Sequence, residues 1–178
     1  MRKLNLYYNE KVISLMLLIF ASVGNLTAHD YNSAINTGLT KDVENLSSKL
    51  NTLQHDYDYL YCNYMLSDIQ LNLKDFENGL NVKSNAILIN CYHSRFDIDL
   101  YRAYRDNYDA SIFLYNSMKE KAEAITIAVT LKMDTSNFSD AEIKLLNQGC
   151  KYVDVCLNTA QSSLNYYKVV LDMYEKLR

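Results

Sequence analysis

The 178-residue sequence predicts an all-α protein: an elongated antiparallel bundle of three coiled-coil-like helices, the middle one kinked or broken near residues 91–99. Three observations carry that expectation. The chain has no proline and four glycines, so little in it interrupts a helix. From Ile143 to Tyr174, the residues Ile143, Leu146, Cys150, Val153, Leu157, Ala160, Leu164, Tyr167, Leu171 and Tyr174 follow at spacings of three and four without a miss, the pattern of a coiled-coil seam. The same spacing recurs twice upstream, and no strand-like alternation competes with it.

Residues 1–28 read as a secretory signal peptide. Arg2, Lys3 and Lys11 precede an almost wholly apolar run from Val12 to Val23, and cleavage fits after Gly24 or after Ala28. The run is about a dozen residues against the roughly 20 of a spanning helix, which favours a removed signal over an uncleaved anchor and leaves no stable membrane span in the mature form. Residues 29–40, with Asn32, Ser33, Asn36 and Gly38, form a polar leader, and Thr40 is placed to cap the first helix.

Residues 41–178 make one helical-bundle domain. Its first helix is expected over about 41–76, with Val43, Leu46, Leu50, Leu53, Tyr57, Leu60, Tyr64, Ser67 and Leu71 as the seam, and a stop where Asn78, Gly79 and Asn81 tolerate a left-handed turn. The middle section, 82–133, holds one strict register through Tyr101, Tyr104, Tyr108, Ser111, Tyr115, Met118, Ala122, Ile125 and Val129. Ile87, Cys91, Ser94 and Ile98 join it only through two consecutive steps of three, which predicts a break between Cys91 and Asp99, with Ser94 and Asp97 as local caps. A polar turn over Asp134–Asp140 leads into the last helix. There Ser139 and Glu142 have the spacing of a capping box. Beside the last seam run Gly149, Cys156, Ser163, Val170 and Leu177, whose small members let a second helix approach closely.

The formal net charge is −3, and the signal carries more basic than acidic groups, so the remainder is more acidic still. A nucleic-acid or anionic-membrane partner is disfavoured. Four cysteines in an exported chain allow three disulfide connectivities. Core register makes Cys91 and Cys150 buried thiols, with a Cys62–Cys91 bridge as the alternative, while Cys62 falls outside the seam as an exposed thiol able to link two chains. Three histidines, His29, His55 and His93, show no metal-ligand spacing beyond the idea that an N-terminal His29 could hold copper, so no metal and no cofactor is expected. No nucleophile constellation or phosphate-binding glycine loop is present, and an enzyme is not expected. Asn45-Leu-Ser47 and Asn137-Phe-Ser139 match a glycosylation pattern that has meaning only in a eukaryotic secretory pathway.

Sixteen tyrosines are the unusual abundance. Register assigns most of them to seams with their hydroxyls at the rim, but Tyr59 and Tyr61 cannot both share a seam with Tyr57 and Tyr64. Tyr59, Tyr61 and Cys62 are therefore the candidate partner-binding residues.

The signal, the polar leader, the capping-box restart Phe138-Ser-Asp-Ala-Glu142 and the tyrosine-rich last helix with Asn165-Tyr-Tyr-Lys168 together resemble the small periplasmic helical-bundle proteins of conjugative type IV secretion systems, the minor pilus-tip and mating-channel assembly subunits. The resemblance implies a non-enzymatic role at the periplasm or cell surface, with envelope or secretion-apparatus proteins as partners and self-association as a further contact. The four cysteines and the tyrosine abundance depart from that pattern. Two other classes stay open: a secreted binding module whose exposed tyrosines hold a surface ligand, and a redox or metal protein using the cysteines and histidines.

Overall fold

The computed structural model describes residues 32–178, with side chains from Gly38 onward. The expected signal peptide, the opening of the polar leader and His29 lie outside the described residues. Three helices follow in order: α1 (Asn32–Tyr92), α2 (Ile98–Thr135) and α3 (Asp140–Glu175). The chain divides into two units, Met1–Lys49 and Leu50–Arg178. In the first, every described side chain is exposed except the half-exposed Leu39. The second holds the three-helix bundle. No described helix is long and apolar enough to cross a membrane.

The all-α three-helix architecture is as the sequence predicts, but the boundaries of the first helix differ. Residues 32–40 are already helical, so Thr40 lies inside α1 and does not cap it. Elongating a nucleated helix costs far less than starting one, so the polar residues there join it. The chain also runs straight through Asn78, Gly79 and Asn81, and no described glycine has a positive φ. One interior glycine costs only about 1 kcal/mol relative to alanine. The buried Leu80, Ser84 and Ile87 beyond it hold the helix on course.

The turn comes instead at residues 93–97, where the break was expected. Ser94 takes a positive φ of 48°. Its N–H donates to the Cys91 carbonyl at 3.0 Å and that of Arg95 to the Asn90 carbonyl at 3.4 Å, the paired bonds of a Schellman ending. Asp97 then caps α2, its carboxylate accepting the N–H groups of Asp99 at 2.8 Å and Leu100 at 3.0 Å. The second turn, 136–139, closes on the expected capping box: Ser139 Oγ accepts the Glu142 N–H at 3.4 Å, and Glu142 Oε2 accepts the Ser139 N–H at 2.8 Å.

Cross-helix contacts fix the register. At one end Lys132 Nζ meets Asp58 Oδ2 at 3.0 Å and His55 Nε2 meets Glu142 Oε2 at 3.3 Å. In the middle Gln70 Nε2 donates to the Gly149 carbonyl at 3.0 Å. At the other end Asn90 Nδ2 donates to Tyr104 Oη at 2.9 Å, and the Asp97 N–H donates to Tyr174 Oη at 3.0 Å. Rising numbers on α1 thus match rising numbers on α3 and falling numbers on α2, an up-down-up bundle. The α3 seam is buried or half-buried at every predicted position, as is that of α2 from Tyr101 to Val129, while Ile98 at its start is exposed. Gly149 is the close approach that the small residues of α3 predict, since a Cβ there would stand 2.8 Å from Leu66 Cδ1.

Candidate interaction surface

Helix α1 is where sequence and structure part. Its buried stripe is Cys62, Leu66, Ile69, Leu73, Leu80, Ser84 and Ile87, with Asp58 at the near end. The stripe expected to be the seam faces outward instead: Leu53, Leu60, Tyr64 and Leu71 are 57%, 66%, 52% and 60% exposed. Tyr57 and Ser67 are exposed with them, and Leu50 is half-exposed. Val43 and Leu46, in the first unit, are exposed as well. Both stripes step by three and four. At about 100° per residue they lie on nearly opposite sides of the helix. One face can pack against α2 and α3, and the face behind it then points away from both.

The three candidate residues separate accordingly. Tyr61 is on the surface beside the outer stripe, its ring stacked on that of Tyr57 at 5.9 Å with the planes 8° apart. Tyr59 is half-buried and meets Phe138 edge-on at 6.0 Å, so it steadies the second turn. Cys62 is fully buried, a correction to its expected exposure. Burial is the main cause pushing its thiol up in pKa; the Asp58 carboxylate also raises it, Lys132 opposes, and Cys150 adds a smaller rise. The alternative of a Cys62–Cys91 bridge is closed off. Both residues lie on α1, 29 positions and roughly 44 Å apart at 1.5 Å per residue. All four thiols are free, and burial raises the pKa of each, the reverse of what activates a nucleophile.

A second apolar surface runs where α1 meets the end of α3. Leu88, Ile89, Cys91, Tyr92, His93 and Met173 line a groove of about 570 Å³ there. Further along α3, Tyr152, Val155, Tyr166 and Val169 are exposed, and Lys74 Nζ sits 5.0 Å from the centre of the Tyr152 ring.

The polar corner at the second turn is built differently. Asn51, Gln54, His55, Asp58, Thr135, Ser136 and Asn137 surround a cleft of about 310 Å³. Asp58 takes hydrogen bonds from Gln54 at 3.1 Å, Lys132 at 3.0 Å and Ser136 at 3.4 Å. His55 lies between Asp56 and Glu142, 3.3 Å from each. These bonds tie the turn to α1, and the carboxylate at their centre is already fully engaged. Among the described residues no group of histidines, cysteines and carboxylates is placed to hold a metal ion.

The tyrosines of α2 fill the core as register predicts. Tyr101 and Tyr115 are buried, Tyr104 and Tyr108 half-buried, and the Tyr108 and Tyr167 rings meet edge-on at 5.7 Å. Sequence reasoning missed the outward stripe because it used those residues for the core. The signal that would have found it was the second register through Cys62, Leu66, Ile69 and Leu73, equally periodic and richer in aliphatic residues. No family model, no curated protein and no solved structure matches this chain.

Proposed function

We propose that this chain is an exported, non-enzymatic interaction protein that holds other envelope proteins through helix faces, as the assembly and tip subunits of conjugative type IV secretion systems do, whose layout it resembles. The observation that carries this reading is the outward stripe of α1, where Leu53, Leu60, Tyr64 and Leu71, large side chains at helix-pairing spacing, are each more than half exposed. Isolated apolar residues on a surface call for no explanation, whereas a periodic row of them does. Tyrosine suits such a face, since its ring offers large area at low entropic cost and its hydroxyl tolerates water at the rim.

The test is affinity purification of a C-terminally tagged copy from its native cells after mild crosslinking, beside a Leu60→Glu, Tyr64→Glu variant. Envelope or secretion-channel proteins captured by the natural chain and lost from the variant support the proposal. Free protein in the medium with no envelope partner overturns it. The stacked Tyr57 and Tyr61 rings beside the exposed Tyr64 favour a second reading in that event, a secreted module that holds a peptide or glycan against the aromatic patch.

A further inference from the structure

We infer that the apolar segment Val12–Val23 lies along the outward stripe of α1 at Val43 and Leu46 for as long as it stays attached, so that its removal on export bares this part of the contact surface. This rests on the proposed function and adds what covers the surface beforehand.

The exposure of the stripe asks for such a cover. Val43 and Leu46 are 48% and 38% exposed, whereas Val82 and Leu60, the same side chains on the same helix, are 70% and 66% exposed. Leu39 is half-exposed as well. Yet the first unit, Met1–Lys49, contains no described helix besides the opening of α1. Neighbours along the helix shield a side chain alike at all these places, so the extra cover points to the rest of that unit, the residues before α1.

Composition says which of those residues. The one long apolar run ahead of α1 is Val12–Val23, in which only Ser14 and Ser22 are polar. Such a run leaves water for the nearest apolar surface that it can reach. Connectivity makes that surface α1 itself. Residues 24–31 join the run to the helix, and at about 3.5 Å each they span up to about 28 Å. Val43 and Leu46 stand about 17 and 21 Å beyond the start of α1 at roughly 1.5 Å per residue. The run can therefore turn back and lie level with both.

Charge does not oppose the contact. On this stretch of α1 Lys41 and Lys49 are matched by Asp42 and Glu44, so Arg2, Lys3 and Lys11 ahead of the run meet no surplus of positive charge.

The test uses the full chain made without export, so that the run is retained. Leu46 is replaced by p-benzoyl-phenylalanine, the protein is irradiated, and crosslinked peptides are located by mass spectrometry. The new bond is expected within Val12–Val23, and a one-to-one mixture of unlabelled and heavy-isotope chains is expected to give no product carrying both. The same probe at Phe113, exposed on α2, is expected to give no bond to the run. In a Cys91→Ser background, Leu46→Cys is expected to react with a maleimide about three-fold faster once Leu15→Asp and Ile19→Asp charge the run, while Phe113→Cys reacts at an unchanged rate.

A Leu46 probe that bonds to a second chain, or makes no bond to the run, overturns the inference. A maleimide rate indifferent to the two aspartates overturns it as well. If envelope partners are still captured from native cells beside such a result, the cover is sunk and the proposed function stands. A covered Leu46 in a chain that captures no partner sinks the proposed function and leaves the cover standing.

Discussion

Tyr174 Oη accepts the backbone N–H of Asp97 at 3.0 Å, joining residues 77 positions apart. The tyrosine is fully buried, with the Phe96 ring 5.4 Å and the Tyr104 ring 5.8 Å away. The donor belongs to the residue whose side chain caps α2, so this one bond locks the end of α3 onto the start of α2. Tyr174→Phe keeps the rings and removes the acceptor. It is expected to cost about 1 kcal/mol, measured by urea unfolding, with little change in helix content.

Gly79 sits inside α1 with open space where a Cβ would go. Because the helix is continuous there, Gly79→Ala is expected to stabilise the protein by roughly 1 kcal/mol. A left-handed turn at that position would make the same substitution destabilising, so the sign of the shift in unfolding midpoint separates the two.

Ser84 is fully buried, and its hydroxyl has no hydrogen-bond partner among the described residues. Replacing it with alanine removes an unsatisfied polar atom and improves helix propensity. Ser84→Ala is expected to raise stability by about 1 kcal/mol, read from the same unfolding curves.

The Glu142 carboxyl is held below its ordinary value, first by the Ser139 hydroxyl, then by the Ser139 N–H, with the charge of His55 and its hydrogen bond adding to both. A depressed folded-state pKa gives stability that is complete above the unfolded value and fades as pH falls through the folded one. The advantage of the natural chain over Glu142→Gln should therefore be full at neutral pH and shrink below about pH 4.5. Melting temperatures of both proteins across that range check the trend.

Alkali acts in the opposite direction. Burial pushes Tyr167 up to about 12, with Tyr104 nearby adding to the rise, and its hydroxyl donates to the Tyr104 carbonyl at 3.0 Å. Tyr101, Tyr104 and Tyr115 are also raised, burial being the largest cause for each. In the unfolded chain these phenols ionise near pH 10. Stability is then whole below that value and lost as pH rises from 10 toward 12. Tyrosinate absorbance should rise in two phases, exposed rings first, the second coinciding with loss of helical circular dichroism.

The last two helices were legible because each offers one unbroken apolar register. Every seam position from Tyr101 to Val129 and from Ile143 to Tyr174 is buried or half-buried. The Ser139–Glu142 box was legible for a local reason, since its two halves are three residues apart and need no distant partner. Helix α1 was not. It carries two registers of similar strength on opposite faces, and only the positions of α2 and α3 decide which is inside. Its end was obscured by chemistry: the glycine that usually marks a left-handed stop stands at 79 inside the helix, while the stop itself is made by Ser94. Of the candidate residues, Tyr61 is exposed and Tyr59 half-buried, in keeping with the expectation that at least one of the two lies outside the seam. Cys62 was misplaced by the same choice of register.

Under the proposed export, the burial of Cys62, Cys150 and Cys156 would make timing matter, because the compartment would be an oxidising one. The native arrangement uses no covalent bridge, yet a newly exported chain would present all its sulfurs to oxidants at once. Helix packing must outrun thiol oxidation, because a bond between Cys150 and Cys156, six residues apart on α3, cannot exist while that helix is intact. A chain that folds first shelters its thiols from then on; one that is oxidised first is locked out of its own core until a reductant frees it.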